Sequence, residues 1–168
     1  MTLHLSDAER TRLRQHKIRK ADLLRYTAQE LADRTGLPRD RCRELIGLAT
    51  FQRARSIGYG FASDLVFLGY YDLESLAAAD PVELYATYER RKGYWVDPCV
   101  EDQFRKIVHF ARTGDDSPSW FDFTAERKRY RAEHGYNADR PQTPWHEVVD
   151  IKDREARQQK NPTQFERR

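Results

Sequence analysis

The chain has 168 residues, of which 39% are hydrophobic and 34% charged, a composition that fits one domain with additional segments. No apolar run approaches the ~20 residues of a membrane-spanning helix, and the N-terminus lacks the apolar stretch of a signal peptide, so the sequence predicts a cytoplasmic protein with no membrane partner. The net charge of +3 is uneven: residues 1–55 hold 13 Lys and Arg against 7 Asp and Glu, whereas residues 56–116 hold 6 against 11, so a polyanion would bind mainly through the N-terminal third.

Short helices are predicted from the first residues onward. Ser6-Asp7-Ala8-Glu9 and Thr27-Ala28-Gln29-Glu30 both fit a capping box, in which a hydroxyl and a carboxylate satisfy each other's backbone amides at a helix start. The second of these helices is predicted to end at Gly36. The next begins near Pro38, which lacks an amide hydrogen and therefore suits a first helical turn.

Apolar residues at helical spacing continue along the chain. The stripe after Pro38 consists of Cys42, Leu45, Ile46 and Ala49, and the clearest stripe, after Pro98, consists of Val100, Phe104, Ile107, Val108 and Ala111. Asp80-Pro81 and Asp97-Pro98 each combine a capping side chain with a proline. Since no segment alternates as a strand does, the predicted fold is all-α.

Four segments are predicted. Residues 1–20 form a basic helical segment, residues 21–116 a tandem helix-hairpin-helix domain with one shared core, residues 117–136 an aromatic segment and helix docked on that core, and residues 137–168 a flexible or loosely docked tail. The tandem arrangement is based on a weak internal repeat, whose two copies contain Asp22-Leu23, Gly36 and Cys42, and Asp72-Leu73, Gly93 and Cys99. Chance similarity is the alternative.

The stretch Ser56-Ile57-Gly58-Tyr59-Gly60 lies between two predicted helices, as in a helix-hairpin-helix arrangement. There the glycines let the backbone approach a nucleic-acid phosphate, and the free amides of the following helix start donate to it. Ile57 would fill the core, and the amides of Gly58, Tyr59 and Gly60 would be the donors. A purely structural turn is the alternative, because Ser56 stands where glycine is usual and Gly60 where a lysine often supplies charge.

A longer stretch of the chain resembles the bacterial pathogenicity-locus family of small helix-hairpin-helix proteins. The features that carry the resemblance are Ser56-Ile57-Gly58, Leu68-Gly69-Tyr70-Tyr71, Asp80-Pro81 with Glu83-Leu84-Tyr85, and Asp97-Pro98-Cys99. Together with an upstream part that is similar to a helix-hairpin-helix unit, the likeness covers about residues 20–136. It implies an all-α tandem hairpin fold and association with DNA, but no known reaction. Some members of the family carry the label of mitomycin-resistance proteins.

Arginines surround both predicted turns. Near the amides of Gly36 and Leu37 and near the Ser56–Gly60 stretch, the candidate phosphate-binding side chains are Arg34, Arg39, Arg41, Arg43, Arg53 and Arg55. Upstream, residues 10–20 hold six Lys and Arg and no acid, and Arg10, Arg14 and Lys17 would share one helix face. A solvated helix surface is the alternative interpretation of these runs.

The reactive residue types form no catalytic pattern. Cys99 follows a predicted helix start, which lowers a thiol pKa, but the nearest histidine, His109, lies far along the same helix. The five histidines have no metal-ligand spacing with Cys42 or Cys99, and there is no phosphate-loop or dinucleotide fingerprint. The sequence therefore predicts a protein that is not an enzyme and that holds no metal or cofactor.

Three functional hypotheses follow. The first is non-enzymatic, sequence-independent binding of nucleic acid, with DNA phosphates held by the turns and arginines. The second is a protein-interaction module that kept the fold without DNA binding, and the third is an accessory drug-resistance protein. The dense aromatic set is expected to fill the core, with a base-stacking platform as its alternative; it comprises Tyr70, Tyr71, Tyr85, Tyr88, Tyr94 and Trp95.

Overall fold

The computed structural model of this chain describes residues 1–148. Its α-helices are α1 (Asp7–Gln15), α2 (Ala28–Thr35), α3 (Arg39–Phe51), α4 (Tyr59–Phe67), α5 (Leu73–Ala77), α6 (Pro81–Lys92), α7 (Cys99–Thr113) and α8 (Thr124–His134). Two 3₁₀-helices, Lys20–Arg25 and Trp120–Phe123, precede α2 and α8. Within residues 1–148 there is no strand, only an isolated bridge between Trp95 and Pro144, so the predicted all-α class is confirmed. In the same range, no helix has the length and apolarity needed to cross a membrane.

The helix boundaries follow local signals in the sequence. Ser6 and Glu9 form the predicted capping box at the start of α1, and Thr27 and Glu30 form the one at the start of α2. Gly36 ends α2 in the left-handed conformation, with φ of 67°, which glycine adopts without the clash that a side chain would cause. These signals act over only three or four residues, which is why the sequence alone is enough to recognise them.

The helices form two groups with the same order of contacts. In the first group, the 3₁₀-helix Lys20–Arg25 and α2 both pack against α3; in the second group, α5 and α6 both pack against α7. A left-handed glycine, Gly36 or Gly93, ends the middle helix of each group. The weak internal repeat of the sequence thus coincides with a repeated contact pattern. The two cysteines differ, since Cys42 is fully buried and Cys99 only half-buried.

Helix α4 joins the two groups into one core. It packs against α3, and its Phe61 ring meets Phe104 of α7 edge to face, with ring centroids 4.9 Å apart. From the aromatic set, Tyr85 and Tyr88 are buried in this core, as core packing requires. The basic N-terminal segment adds its apolar residues to the same cluster: Leu3, Leu13 and Ile18.

Helix α8 is held against α7 by buried ion pairs. Glu101 and Asp102, in the first turn of α7, are fully buried. Glu101 accepts hydrogen bonds from Arg105 and Arg131, both at 2.8 Å. Asp102 accepts two from Arg127, at 2.7 and 3.1 Å. Because a buried carboxylate is costly unless it is paired and hydrogen-bonded, Arg127 and Arg131, which belong to α8, fix the position of that helix against α7.

The aromatic segment before α8 contains Trp120, Phe121 and Phe123, and only some of these rings pack against the core. Phe123 is half-buried beside His109, with ring centroids 5.6 Å apart. Phe121 instead faces solvent, with 59% of its surface exposed, so one ring of the aromatic segment that was predicted to dock on the core does not pack there. In a 3₁₀-helix, residues three apart lie on one side, so Trp120 and Phe123 share a face that Phe121 does not.

Part of the predicted tail is bound to the core. The sequence assigns residues 137–168 to a flexible or loosely docked tail, but Arg140 donates two hydrogen bonds, each of 2.8 Å, to the buried carboxylate of Glu89. Two backbone hydrogen bonds, of 2.9 and 2.8 Å, also pair Trp95 with this segment. The physical reason is charge neutralisation, because Glu89 would otherwise be buried without a cation. Residues 149–168 lie outside the described residues.

Candidate nucleic-acid interface

The turn between α3 and α4, residues 52–58, contains a backbone conformation that normally calls for glycine. Ser56 has a φ of 67°, in the left-handed region. A residue with a side chain pays about 1 kcal/mol or more to adopt it, so the surrounding structure must hold it there. Ser56 therefore has, at the position where the predicted hairpin usually has glycine, a backbone conformation that favours glycine.

One anchor of this turn is Ile57. Its side chain is buried, with 5% exposed, and Ala62 and Leu65 of α4 are fully buried beneath the same surface. The Ile57 amide donates to Ala54 at 3.2 Å. With the apolar residue fixed in the core, the following backbone is turned toward solvent.

The first amides of α4 are available to a ligand. Gly58 is the N-cap and supplies no side-chain acceptor. The first internal bond of the helix runs from Ala62 to the Gly58 carbonyl at 3.0 Å, and within residues 1–148 the amides of Tyr59, Gly60 and Phe61 have no acceptor. A Cβ atom added at Gly58 or Gly60 would meet nothing within 4 Å, so neither position is crowded by the rest of the protein. Free amides and the helix dipole together make such a helix start attractive to anions.

Arg55 is held by the segment that precedes the second 3₁₀-helix. Its backbone amide donates to the carboxylate of Asp116, at 2.8 and 3.0 Å, and its guanidinium donates to Ser119 at 3.2 Å. Asp116 also accepts from Lys106, a buried lysine, at 2.7 Å. Burial raises the pKa of Asp116, but the hydrogen bonds from Lys106 and from the Arg55 amide outweigh it, and the net shift is downward. The hydrogen bonds of Arg55 thus connect the α3–α4 turn to the segment before the second 3₁₀-helix.

The earlier turn, at Gly36 and Leu37, does not offer the predicted donors. The Gly36 amide donates to Ala32 at 2.7 Å, and the Leu37 amide donates to the Thr35 hydroxyl at 3.3 Å. In addition, the Arg12 guanidinium donates to the Gly36 carbonyl and covers the turn. Both predicted amides are therefore already paired inside the protein, which corrects their assignment as phosphate donors.

Arg41 is a structural brace rather than a free cation. Its guanidinium donates to Glu9 at 2.6 Å, to Glu44 at 2.8 Å and to the His4 carbonyl at 3.0 Å. The hydrogen bond from Arg41 to Glu9 is the main cause of the raised Arg41 pKa. These contacts tie the N-terminal segment and α1 to α3, which removes Arg41 from the set of phosphate-binding candidates.

Glu9→Gln is expected to lower the free energy of unfolding by about 1 kcal/mol at neutral pH. The amide can still accept from Ser6, but it loses the charge that faces Arg41. In the folded protein the pKa of Glu9 lies below its ordinary value, chiefly because of the Arg41 hydrogen bond. A lowered pKa stabilises the protein above the unfolded value, and this contribution is lost as the pH falls through the folded value. Urea unfolding of both proteins should give a difference that shrinks in acid; a pH-independent difference would contradict the assignment.

The other four candidate arginines are exposed. Arg34 lies over the Tyr26 ring, 5.8 Å from its centroid, and Arg43 lies over the Tyr71 ring at 4.1 Å. Arg39 and Arg53 form no ion pair with any residue in the described part of the chain, residues 1–148. Arg53 is the one that lies within the α3–α4 turn.

The N-terminal segment reaches the same turn, which the sequence did not indicate. The backbone of Thr2 exchanges two hydrogen bonds with the Gln52 side chain, at 2.7 and 2.8 Å. The His4 ring stacks on Tyr59, with centroids 3.9 Å apart. Neither contact leaves a sequence signal, because each joins single residues about fifty positions apart.

A basic groove begins at Leu5, the residue that follows His4 in the N-terminal segment. It has an apolar floor and a rim of cations: Leu5, Arg10, Leu13, Arg14, Lys17, Ile18, Arg19 and Lys20. Helix α1 ends at Gln15, and Lys17 has left-handed backbone, so the predicted single helix face is replaced by a helix and a turn. Arg10, Arg14 and Lys17 nevertheless line one surface.

Cys99 and His109, which the sequence analysis set aside, each lie near an aspartate. The Asp97 carboxylate, followed by burial, raises the pKa of the Cys99 thiol, so that the sulfur stays protonated at neutral pH. His109 lies 3.6 Å from Asp115. Within residues 1–148, no three or more His, Cys, Asp or Glu residues are arranged to hold a metal ion.

Comparison with known proteins gives two matches. The family model described as "Cdd1: Pathogenicity locus" matches residues 44–129, which include the α3–α4 turn. A protein from Streptomyces lavendulae named "Mitomycin resistance protein McrB" is 32% identical over 82 residues, which cover 49% of this chain and 77% of that relative. No solved structure matches the chain.

Proposed function

This chain belongs to the pathogenicity-locus family, and we propose that it is a non-enzymatic protein that binds the phosphates of nucleic acid, in particular DNA, without reading the base sequence. In this proposal residues Ser56–Gly60 act as the turn of a helix-hairpin-helix unit. The amides at the start of α4 are the donors, and Arg53 supplies the adjacent charge.

The observation that carries the proposal is the group of amides at Tyr59, Gly60 and Phe61, which have no acceptor within residues 1–148 and lie at a helix start where Gly58 and Gly60 are exposed. Gly58 and Gly60 are exposed, so the turn lies at the protein surface rather than in an enclosed cavity. A phosphate on a polymer backbone can reach such a site, and contacts of this kind fix position without reading bases. The left-handed Ser56 and the buried Ile57 support the same interpretation, because they hold the turn in the shape that presents the amides.

The positive charge of the basic groove extends the proposed phosphate-binding surface from the start of α4 toward the N-terminal segment. The His4–Tyr59 stack connects the start of α4 to the N-terminal segment, whose next residue, Leu5, lies in the basic groove. Arg14, Lys17 and Lys20 of that groove form no ion pair with residues 1–148. Phosphates of the same strand that extend beyond the turn would therefore meet further cations, and this increases affinity without adding sequence preference.

Fluorescence anisotropy with labelled duplex DNA tests the proposal. The expected dissociation constant is ~10⁻⁴–10⁻⁶ M at physiological salt, and log affinity should fall with log salt by about 0.9 for each phosphate neutralised. Arg53→Ala is expected to reduce that slope by about 0.9, the contribution of one neutralised phosphate. The matched control is Arg91→Ala, because Arg91 is also exposed but donates to the Phe67 carbonyl at the opposite end of α4.

Equal losses of DNA affinity in Arg53→Ala and Arg91→Ala would contradict a phosphate contact at the α3–α4 turn. Absence of binding to duplex, single-stranded and junction DNA, even at low salt, would contradict nucleic-acid binding altogether. In that case the protein-interaction hypothesis would take its place.

A second candidate is an accessory role in drug resistance, favoured by the name of the Streptomyces lavendulae relative. The enclosed cavity beside Arg131 and Arg140 has a volume of about 10 Å³, room for one water molecule. A drug-sized ligand needs ~300–1,000 Å³. A drug-sized ligand therefore does not fit in that cavity. The drug-resistance role is tested by comparing the survival of cells with and without the protein at rising mitomycin concentration.

A further inference from the structure

The guanidinium of Arg131 has one buried nitrogen without a partner. Only 8% of this side chain is exposed, and two of its nitrogens are bonded: Nε donates to Glu101 at 2.8 Å and Nη1 to the Gly135 carbonyl at 2.9 Å. The third, Nη2, is buried and has no acceptor among residues 1–148. Because a buried donor is costly when it is left unpaired, and more so when it is charged, Nη2 calls for an acceptor that these residues do not supply.

This guanidinium borders the small cavity between α6, α8 and the segment that follows α8. The rings of Tyr85 and Tyr136 line that cavity, and the Arg131 guanidinium carbon lies 5.7 Å from the first ring centroid and 4.4 Å from the second. The cavity volume is about 10 Å³. A space of this size holds about one water molecule or a single-atom ion, and it excludes larger ligands.

The wall of the cavity also contains a hydrogen-bond acceptor with spare capacity. Glu89 lines the cavity, and its Oε1 accepts from the Val96 amide at 2.9 Å and from Arg140 at 2.8 Å. Within residues 1–148, its Oε2 accepts only from Arg140, at 2.8 Å. A carboxylate oxygen can accept two hydrogen bonds, so Oε2 has room for a further donor. A water molecule fits between such a donor and such an acceptor, because it accepts on one side and donates on the other.

The charges around the cavity favour a neutral ligand over an anion. Arg131 is paired with Glu101 and Arg140 with Glu89, so each of the two cations already faces a carboxylate. Asp139 adds a further carboxylate to the lining. A halide ion could accept from Arg131, but it could not donate to Glu89, and its negative charge would lie beside these carboxylates without a cation of its own.

We infer that this cavity is the binding site of one water molecule, which accepts a hydrogen bond from Arg131 Nη2 and donates one to Glu89 Oε2. The water thereby joins α8 to α6. Asn137, Asp139 and Arg140, from the segment after α8, complete the lining. The site is therefore formed only while that segment is docked on the core, and the bound water is part of the contact that holds it there.

A crystal structure of the whole chain, grown with bromide as the halide in the solution, tests the site. The expected result is one peak of electron density about 2.7–3.2 Å from Arg131 Nη2, with no anomalous signal at the bromine absorption edge. An anomalous peak at that position would show a bound anion and would overturn the inference. Absence of density, with Nη2 directed at the Tyr136 ring or at an acceptor of the protein, would overturn it as well.

Oxygen-17 relaxation dispersion tests the same site in solution, because it counts the water molecules that stay in the protein long enough to tumble with it. Tyr136 lines the cavity and is 38% exposed, so Tyr136→Ala opens the cavity to solvent and should lower the count by one. Tyr71→Ala is the matched control: Arg43 lies 4.1 Å from the centroid of the Tyr71 ring, but that ring is not part of the cavity. It should leave the count unchanged, and circular dichroism of each variant verifies the fold. A folded Tyr136→Ala protein with the same count as the wild type would mean that no water is held at this position.

Discussion

Glu101→Ala is expected to lower the free energy of unfolding by about 3–5 kcal/mol. The Glu101 carboxylate is fully buried and accepts hydrogen bonds from Arg105 and Arg131, each at 2.8 Å. Removing it leaves the largely buried Arg131 guanidinium facing a cavity without a carboxylate partner, and leaves Arg105 with Glu126 alone, at 2.6 Å. Such an orphaned charge costs far more than the ion pair contributes, because the group does not regain its hydration. Urea denaturation followed by circular dichroism measures the loss.

The control for this experiment is Glu133→Ala. Glu133 is an exposed glutamate in the last part of α8, and its loss should change stability by no more than about 0.5 kcal/mol. A loss below about 1 kcal/mol for Glu101→Ala would mean that water reaches the two arginines, so that α8 is not fixed by buried charge.

Substitution of Gly60 is expected to change nucleic-acid affinity according to the charge of the new side chain. Gly60→Lys should tighten binding by about fivefold or more and steepen the salt dependence by about 0.9, since one further cation faces the phosphate. Gly60→Glu should weaken binding by a similar factor. The position tolerates all such changes, because a Cβ there would meet nothing within 4 Å.

Gly60→Gln is the isosteric control for this series. Each of the three variants replaces glycine in the first turn of α4 with a better helix former, a gain of roughly 1 kcal/mol per helix position. Glutamate at a helix start adds a favourable interaction with the helix dipole. A weaker-binding Gly60→Glu protein would thus be at least as stable as the control, and loss of folding could not explain its affinity. Equal affinities in all three variants would contradict phosphate contact at this turn.

Local signals in the sequence predicted much of the fold. The capping boxes at Ser6 and Thr27 and the glycine at Gly36 involve residues three or four positions apart, and the structure contains them where the sequence indicates. The all-α class follows from the same periodicity and caps. The burial of Ile57 could be predicted too, because an apolar residue between polar ones in a tight turn can leave water only by packing into the core.

The roles of the charged residues could not be predicted. Sequence reasoning treats a charged residue as exposed, yet Asp102 is buried against Arg127, which is 25 positions away. Arg41 was grouped with the phosphate-binding arginines, but Glu9, 32 positions away, holds it. In each case the partner comes from a distant helix, and only the packed structure specifies the pair. The binding roles of Gly58 and Gly60 remain predictions for the same reason, since a ligand would supply their partner.

The inward-facing carboxylates also change how the middle of the chain acts on its surroundings. Residues 56–116 hold 6 Lys and Arg against 11 Asp and Glu, which by count alone would repel a polyanion. Glu89, Glu101 and Asp102 of this region are buried and bonded to arginines from beyond residue 116. Their field is cancelled inside the protein. The electrostatic potential outside is set by the residues that remain on the surface, so a polyanion at the α3–α4 turn would meet a weaker barrier than the composition suggests.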